Sequence, residues 1–176
     1  MTDTTNITSP VVDADHLRAF HRKFVTGVTI VTTVDRGTPR GLAVNAFSSV
    51  SLDPALILVC VAKTSSTYEP LFRAERFAVN LLAGDQAGVA RHFATKNPDK
   101  FRDVPWHMGE HGSPILDGAC ASLEAEVRER VRAATHTIFI GRVLAATCLD
   151  VAPLVYMGAG FFDGARLEPA QEGPVP

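Results

Sequence analysis

Residues 41–60 read GLAVNAFSSVSLDPALILVC, a run in which Asp53 is the only charged side chain. Val, Ile, Leu and Phe dominate on both sides of Asp53-Pro54, and β-branched and aromatic residues suit a pleated, half-buried surface. Two strands flanking a Pro-containing turn follow from this pattern. The first half also carries Asn45, Ser48, Ser49 and Ser51. Each small polar side chain must find a hydrogen-bond partner once buried. Two readings therefore stand side by side: an exposed or bent edge strand whose serines bond back to the chain, or a strand and turn that hold a planar polar ligand.

Working outward, Asp13 or Asp15 is placed to cap a short helix with Leu17, Phe20 and Phe24 on one face, ended by Gly27. VTIVTTV (28–34) predicts a strand, and DRGTPR supplies the Gly and Pro of a hairpin into 41–60. After Cys60 a polar loop, AKTSSTYEP, leads into a short helix through Leu71 and Phe72. RFAVNLLA (76–83) predicts a strand, GDQAGVARHFA (84–94) a helix, and TKNPDKFRDVPWHMGEHGSP a loop. GACASLEAEVRERV (118–131) has the Glu and Arg content of a helix. However, Ala119, Ala121, Leu123, Ala125 and Val127 alternate with mostly polar neighbours, the period of a long strand. HTIFIGRVLAATCL (136–149) and PLVYM (153–157) are further strands.

About six closely spaced strands with short connections predict a mainly β, antiparallel fold, and a closed or nearly closed barrel would hide the apolar edges. The division expected is a disordered N-terminal segment (1–12), one domain over 13–163 and a loose Pro- and Gly-rich tail (164–176). With 176 residues, 46% hydrophobic and 20% charged, the chain is long enough to bury a core without staples. A net charge of −2 gives no electrostatic reason to expect nucleic acid or an anionic membrane as partner. The N-terminus, MTDTTNITSP, is polar rather than signal-like, and no apolar run is long enough for a spanning helix. Cys60, Cys120 and Cys148 are far apart and sit in apolar runs, which predicts buried free thiols and a cytoplasmic setting.

Ser66 or Thr67 is placed to cap the helix that follows, with Glu69 positioned for a capping box and Pro70 favouring Thr67. A helix start flanked by Lys63, Thr64 and Ser65 is either a phosphate cradle or a capped helix beside a solvated lysine. His107 and His111 have the spacing of helical metal ligands, but Pro105 and Gly109 argue for a loop, and no metal site is expected. Gly158-Ala159-Gly160 has no helix after it and is not a dinucleotide-binding turn. The charges from Glu124 to Arg132 read as one solvated face.

Five blocks carry a resemblance: FHRKFVTGVTIVTT (20–33), GLAVNAFSSVSLDPALILVCVAKTSST (41–67), FAVNLLAGDQ (77–86), HFATKNPDKF (92–101) and HTIFIGRV (136–143). In this order, over roughly residues 15–162, the chain resembles the flavin reductase-like, FMN-binding split-barrel family, the small reductase components of two-component flavin monooxygenases. The resemblance implies a six-stranded antiparallel split barrel, a homodimer, and FMN or FAD bound in a groove near the subunit interface. It further implies NAD(P)H as co-substrate and a separate monooxygenase that receives reduced flavin. By position, Val44, Asn45 and Ala46 would lie along the isoalloxazine, and Ser48, Ser49 and Ser51 would hold the ring edge or ribityl chain. Lys63, Ser66 and Thr67 would bind the phosphate, Asn80, His92 and Phe93 would line the groove, and His136 would touch the flavin or the nicotinamide. The chain departs from the family where Ala134-Thr135 replaces Gly-Asp before the histidine, where Ala43 replaces a Thr, and where Met157–Gly160 lacks an Arg after Tyr156. These departures leave a second reading beside the reductase: a flavin-binding protein on the same scaffold that does not use free NAD(P)H.

Overall fold

The computed structural model describes residues 13–170, so the segment 1–12 and the end of the tail lie outside the described residues. Helix α1 (Ala14–Lys23) opens it, capped by the Asp13 carboxylate, which accepts from the Asp15 amide at 3.0 Å. There follow β1 (Thr26–Gly27), β2 (Thr29–Asp35), β3 (Thr38–Val44), β4 (Phe47–Leu52), β5 (Ala55–Ala62) and helix α2 (Tyr68–Arg73). Next come β6 (Arg76–Leu81), helix α3 (Ala87–Ala94), β7 (Trp106–Met108) and β8 (Pro114–Leu116). The chain continues through β9 (Ala121–Ala133), β10 (His136–Cys148), β11 (Leu154–Met157) and β12 (Gly160–Asp163).

Seven strands form one antiparallel sheet in the order β3-β2-β6-β9-β10-β5-β4, flanked by a β1-β11-β12 sheet and a β7-β8 hairpin. The expected mainly β, antiparallel architecture is what forms, as an open barrel with seven strands in its main sheet. The two outer strands, β3 and β4, are consecutive in the chain and joined by Asn45-Ala46 alone. The sheet therefore curls back on itself without closing.

Strand β2 shows why the sheet holds. Residues Thr29–Thr33 are all buried, because both faces of the strand are covered. Val31 enters an inner cluster with Leu42, Val59, Phe77 and Phe139, while Ile30 enters an outer one with Phe93, Phe101, Leu116 and Leu154. A strand buried on both faces reads as a continuous apolar run rather than an alternating one. Its threonines keep their hydroxyls by donating to carbonyls: Thr29 to Val44 at 2.6 Å and Thr33 to Arg76 at 2.9 Å.

The Glu- and Arg-rich stretch is a strand of 13 residues, paired with both β6 and β10. Its period of two won over its helical composition because neighbours on both sides supply ladder hydrogen bonds. Helix α1 ends at Lys23 rather than Gly27, and its apolar residues Leu17, Phe20 and Phe24 stay exposed. The expected 95–114 loop contains β7 and leads into its partner β8, and β12 follows Met157 through a turn with positive φ at Gly158 and Ala159. Cys120 is buried and Cys60 half-buried, but Cys148 is exposed near the end of β10, which corrects the expectation of three buried thiols. No helix among the described residues is long and apolar enough to cross a membrane.

Gly141 marks where β10 crosses a tight part of the core. A Cβ there would lie 2.8 Å from Phe77 Cζ and 2.9 Å from Ala125 Cβ. Gly141→Val is expected to destabilise the fold by about 2 kcal/mol through overpacking. A urea titration would show this as a lower midpoint at constant slope, and an unchanged midpoint would contradict it.

Candidate functional site

Beside the Asn45-Ala46 link between β3 and β4, a groove of about 630 Å³ opens. One wall is the end of β3, Leu42–Val44, continued by Asn45 and Ala46. The other is the end of β5, Cys60–Ala62, with Thr64–Ser66 and His136, which faces Ala62 across the β5–β10 ladder. The end of α3 and the segment after it, Phe93–Lys96 and Lys100, close the remaining side. Asn45 is exposed at the turn, so its amide is available to a ligand. The Ala46 carbonyl is occupied by the Cys60 amide at 2.9 Å.

Beside the groove and sharing Ser66, Lys96 and Lys100 with it lies a smaller pocket of about 80 Å³. It is lined also by Arg40, Gly41, Thr67 and Asn97. Three cationic side chains face this space, and no carboxylate is among the described residues that line either cavity. Lys100 is 6% exposed, and its ammonium donates to the Phe93 carbonyl at 2.7 Å and to the Gly41 carbonyl at 3.2 Å. An ammonium has three N–H donors, so one is left for the cavities. Burial pulls the Lys100 pKa below the ordinary lysine value. Burial likewise pushes the Cys60 thiol up, which disfavours its thiolate form.

Gly41 makes this arrangement possible. A Cβ on it would lie 2.7 Å from Phe93 Cε1 and 3.3 Å from Phe101 Cζ, so any other residue would press on the α3 side chain Phe93 and on the segment after the helix. Its carbonyl accepts from both Lys100 Nζ and the Thr67 hydroxyl, the latter at 2.9 Å. Thr67 sits at the cap position of α2 as expected, but its hydroxyl serves β3 instead of capping the helix. Glu69 makes no capping box and pairs with Arg73 at 3.5 Å.

Of the residues singled out in the sequence, Val44, Asn45, Ala46, Ser66, Phe93 and His136 come together at the groove, and Thr67 at the small pocket. The others lie elsewhere. Ser48 and Ser51 pair with Leu58 and Leu56 on the outer side of β4, and Ser49 lies on the same exposed edge strand. Lys63 lines neither cavity, since its ammonium donates to the Ala134 carbonyl at 2.6 Å. His92 stands behind the groove, its Nε2 bonded to the Lys100 carbonyl at 3.0 Å. The pair His107/His111 falls on β7 and the turn after it, with His107 Nδ1 bonded to Asp117 at 2.7 Å. Arg40, Lys96 and Lys100 were not singled out, although the quoted HFATKNPDKF block contains two of them. A lysine directly before a buried aromatic, Lys100-Phe101, was the available signal.

Asn80 is the clearest departure. It is fully buried and outside the groove, where its amide donates to the Ile30 carbonyl at 3.2 Å and the Thr32 hydroxyl at 3.3 Å. Its carbonyl oxygen accepts from the Leu116 amide at 2.8 Å and the Ser122 hydroxyl at 3.2 Å. Asn80→Leu leaves these partners unsatisfied and is expected to destabilise the fold by about 2–4 kcal/mol. Thermal unfolding would show it, and a melting temperature equal to wild type would return Asn80 to the list of ligand contacts.

Comparison with known proteins gives the same reading for most of the chain. The family model described as "Flavin reductase like domain" matches residues 20–165. A probable flavin reductase of Rhizobium meliloti is 40% identical over 174 residues, 96% of this chain and 56% of that protein. The reductase component of a flavin-dependent trigonelline monooxygenase from Acinetobacter baylyi is 42% identical over 156 residues, 88% of this chain and 49% of that protein. The chain thus spans about half the length of these relatives. The solved NADH:FAD oxidoreductase of Streptomyces globisporus, in complex with NAD and FAD fragments, superposes with a TM-score of 0.83 at 38% identity. That superposition covers 91% of this chain and 96% of the other.

Proposed function

We propose that this chain, which belongs to the flavin reductase-like domain family, is an NAD(P)H-dependent flavin oxidoreductase that hands reduced flavin to a separate flavin-dependent monooxygenase. The observation that carries the reading is the groove beside Asn45-Ala46, which shares Ser66, Lys96 and Lys100 with a smaller pocket that Arg40 also lines. A planar, amide-edged ring system with an anionic tail fits that shape and charge: about 630 Å³ lies within the usual range for a ligand site. Relatives named as the reductase component of a trigonelline monooxygenase and as a NADH-dependent FAD reductase support the partner and the co-substrate.

Bound flavin supplies the redox chemistry, taking hydride from the nicotinamide. The chain's own residues bind, orient and polarise. Asn45 offers its amide to the ring's polar edge, with Val44 and Ala46 beside it, while His136 stands at the opposite wall. Ser66, Arg40 and Lys96 receive the phosphate, and Lys100 adds a positive charge where the cavities join. No acid–base pair is required, in keeping with a lining free of carboxylates among the described residues. Anaerobic mixing of the protein with FMN or FAD and NADH or NADPH should bleach the oxidised flavin band. Absence of bleaching in all four combinations would overturn the reading. Arg40→Ala and Lys96→Ala are each expected to weaken FMN roughly tenfold and riboflavin little, since a charge-assisted contact contributes about 1.5–3 kcal/mol. Equal losses for both ligands would move the phosphate elsewhere.

The active unit we infer is a homodimer. Directly opposed residues of neighbouring strands share a face. Val131, Ile138 and Cys60 form one such row, and Ile140 and Leu58 belong to the next. The row lies on the side of the sheet away from the inner cluster, and Val131 is 45% exposed. A second copy of the chain would cover this strip and bring the Ser48–Ser51 edge against the partner. A cytoplasmic setting fits three free cysteines. Light scattering should return twice the chain mass of 18.9 kDa, and Ile138→Lys should shift it to the monomer. A wild-type mass of 18.9 kDa at micromolar concentration would refute the dimer.

A further inference from the structure

His136 begins β10 directly after the two-residue turn Ala134-Thr135 that closes the β9–β10 hairpin. Ala134 holds φ at 45°, in the left-handed region where two-residue hairpin turns call for Gly, Asn or Asp. A side chain on this residue strains the turn, and contacts from outside the turn hold it in place. Lys63 does so twice. Its amide donates to the Thr135 carbonyl at 2.9 Å, and its ammonium donates to the Ala134 carbonyl at 2.6 Å. The chain of contacts then runs on to the ring: the Thr135 hydroxyl and His136 Nδ1 are 2.9 Å apart. With Nδ1 engaged, Nε2 is the nitrogen left for the groove that His136 lines.

From this geometry we propose that Lys63 and Thr135 are positioning residues for His136: Lys63 clamps the strained turn and the Thr135 hydroxyl fixes the imidazole on it. The Lys63 ammonium thereby serves the turn, and the residue lines neither the groove nor the cationic pocket. The inference rests on the reductase reading only for its kinetic consequence, because the clamp itself belongs to the β5–β10 edge. Breaking either link leaves the groove and the cationic pocket intact but lets the ring wander, which lowers turnover more than it weakens binding.

The test uses the full chain and two readouts. Lys63→Met and Thr135→Val should each lower kcat for nicotinamide-dependent flavin reduction about fivefold while leaving the ratio of FMN to riboflavin affinity unchanged. Lys63→Arg and Thr135→Ser should keep most of the wild-type rate, and Ala134→Gly should restore part of the loss in Lys63→Met by relieving the turn. Imidazole ¹⁵N resonances of His136, assigned by their loss in His136→Gln, should move in Lys63→Met and in Thr135→Val. Unmoved resonances would overturn the clamp, as would a Lys63→Met variant that loses FMN affinity tenfold while keeping riboflavin. A wild type that reduces no flavin would sink the reductase reading, while the resonances would still decide the clamp.

Discussion

Strands β3 and β4 are separated by Asn45 and Ala46 alone, yet they are the two outer strands of a seven-stranded sheet. Three peptide links reach at most about 11 Å, so the sheet has to curl until its edges nearly touch. The edges stay unpaired because the chain leaves the ladder at Val44 and rejoins it on the other side, where the Ala46 carbonyl accepts the Cys60 amide. The groove opens beside this link. Its position follows from chain connectivity, and its walls are the ends of β3 and β5, which core packing holds rigid through Val44 and Val61. A site built on strand ends of a packed sheet keeps its geometry better than one built on free loops.

What the seam offers a ligand is decided by the segment after α3. The Gly41 carbonyl gathers Lys100 and Thr67, and His92 steadies the Lys100 backbone from behind. A buried ammonium bonded only to neutral carbonyls recovers part of its desolvation cost. An apolar side chain of similar length would pin the segment without that cost, so the charge has a use beyond anchoring. With Arg40 and Lys96 beside it, Lys100 makes one end of the groove positive in a chain whose net charge is −2. Steering and binding follow the local field rather than the sum of charges.

Much of this was legible from residue order. The β-branched runs around Asp53-Pro54 and VTIVTTV gave strands at their correct places, and the period of two in 118–131 outweighed its helical composition. The resemblance of five blocks pointed to Asn45, which lines the groove. The β7-β8 hairpin was not legible, because strands of three residues are too short to show a period, and neither was β12, with its four residues behind a Gly-rich turn. Helix α1 was legible as amphipathic, whereas the exposure of Phe20 and Phe24 was not, since a pattern shows a face without showing what covers it.

The candidate residues that lie outside the cavities share one physical feature. A polar residue in an apolar run must have partners, but sequence does not say whether those partners are protein or ligand. Asn80 has four within the fold, which accounts for all that a short amide needs, so nothing remains for a cofactor. Lys63 gives one of its three donors to a turn carbonyl and lines neither cavity. Lys100 has two partners for three donors and borders both cavities, and Asn45 is exposed at the seam. Unspent donors together with a place on the cavity wall, rather than polarity alone, therefore separate the groups that build the groove from those that face what enters it.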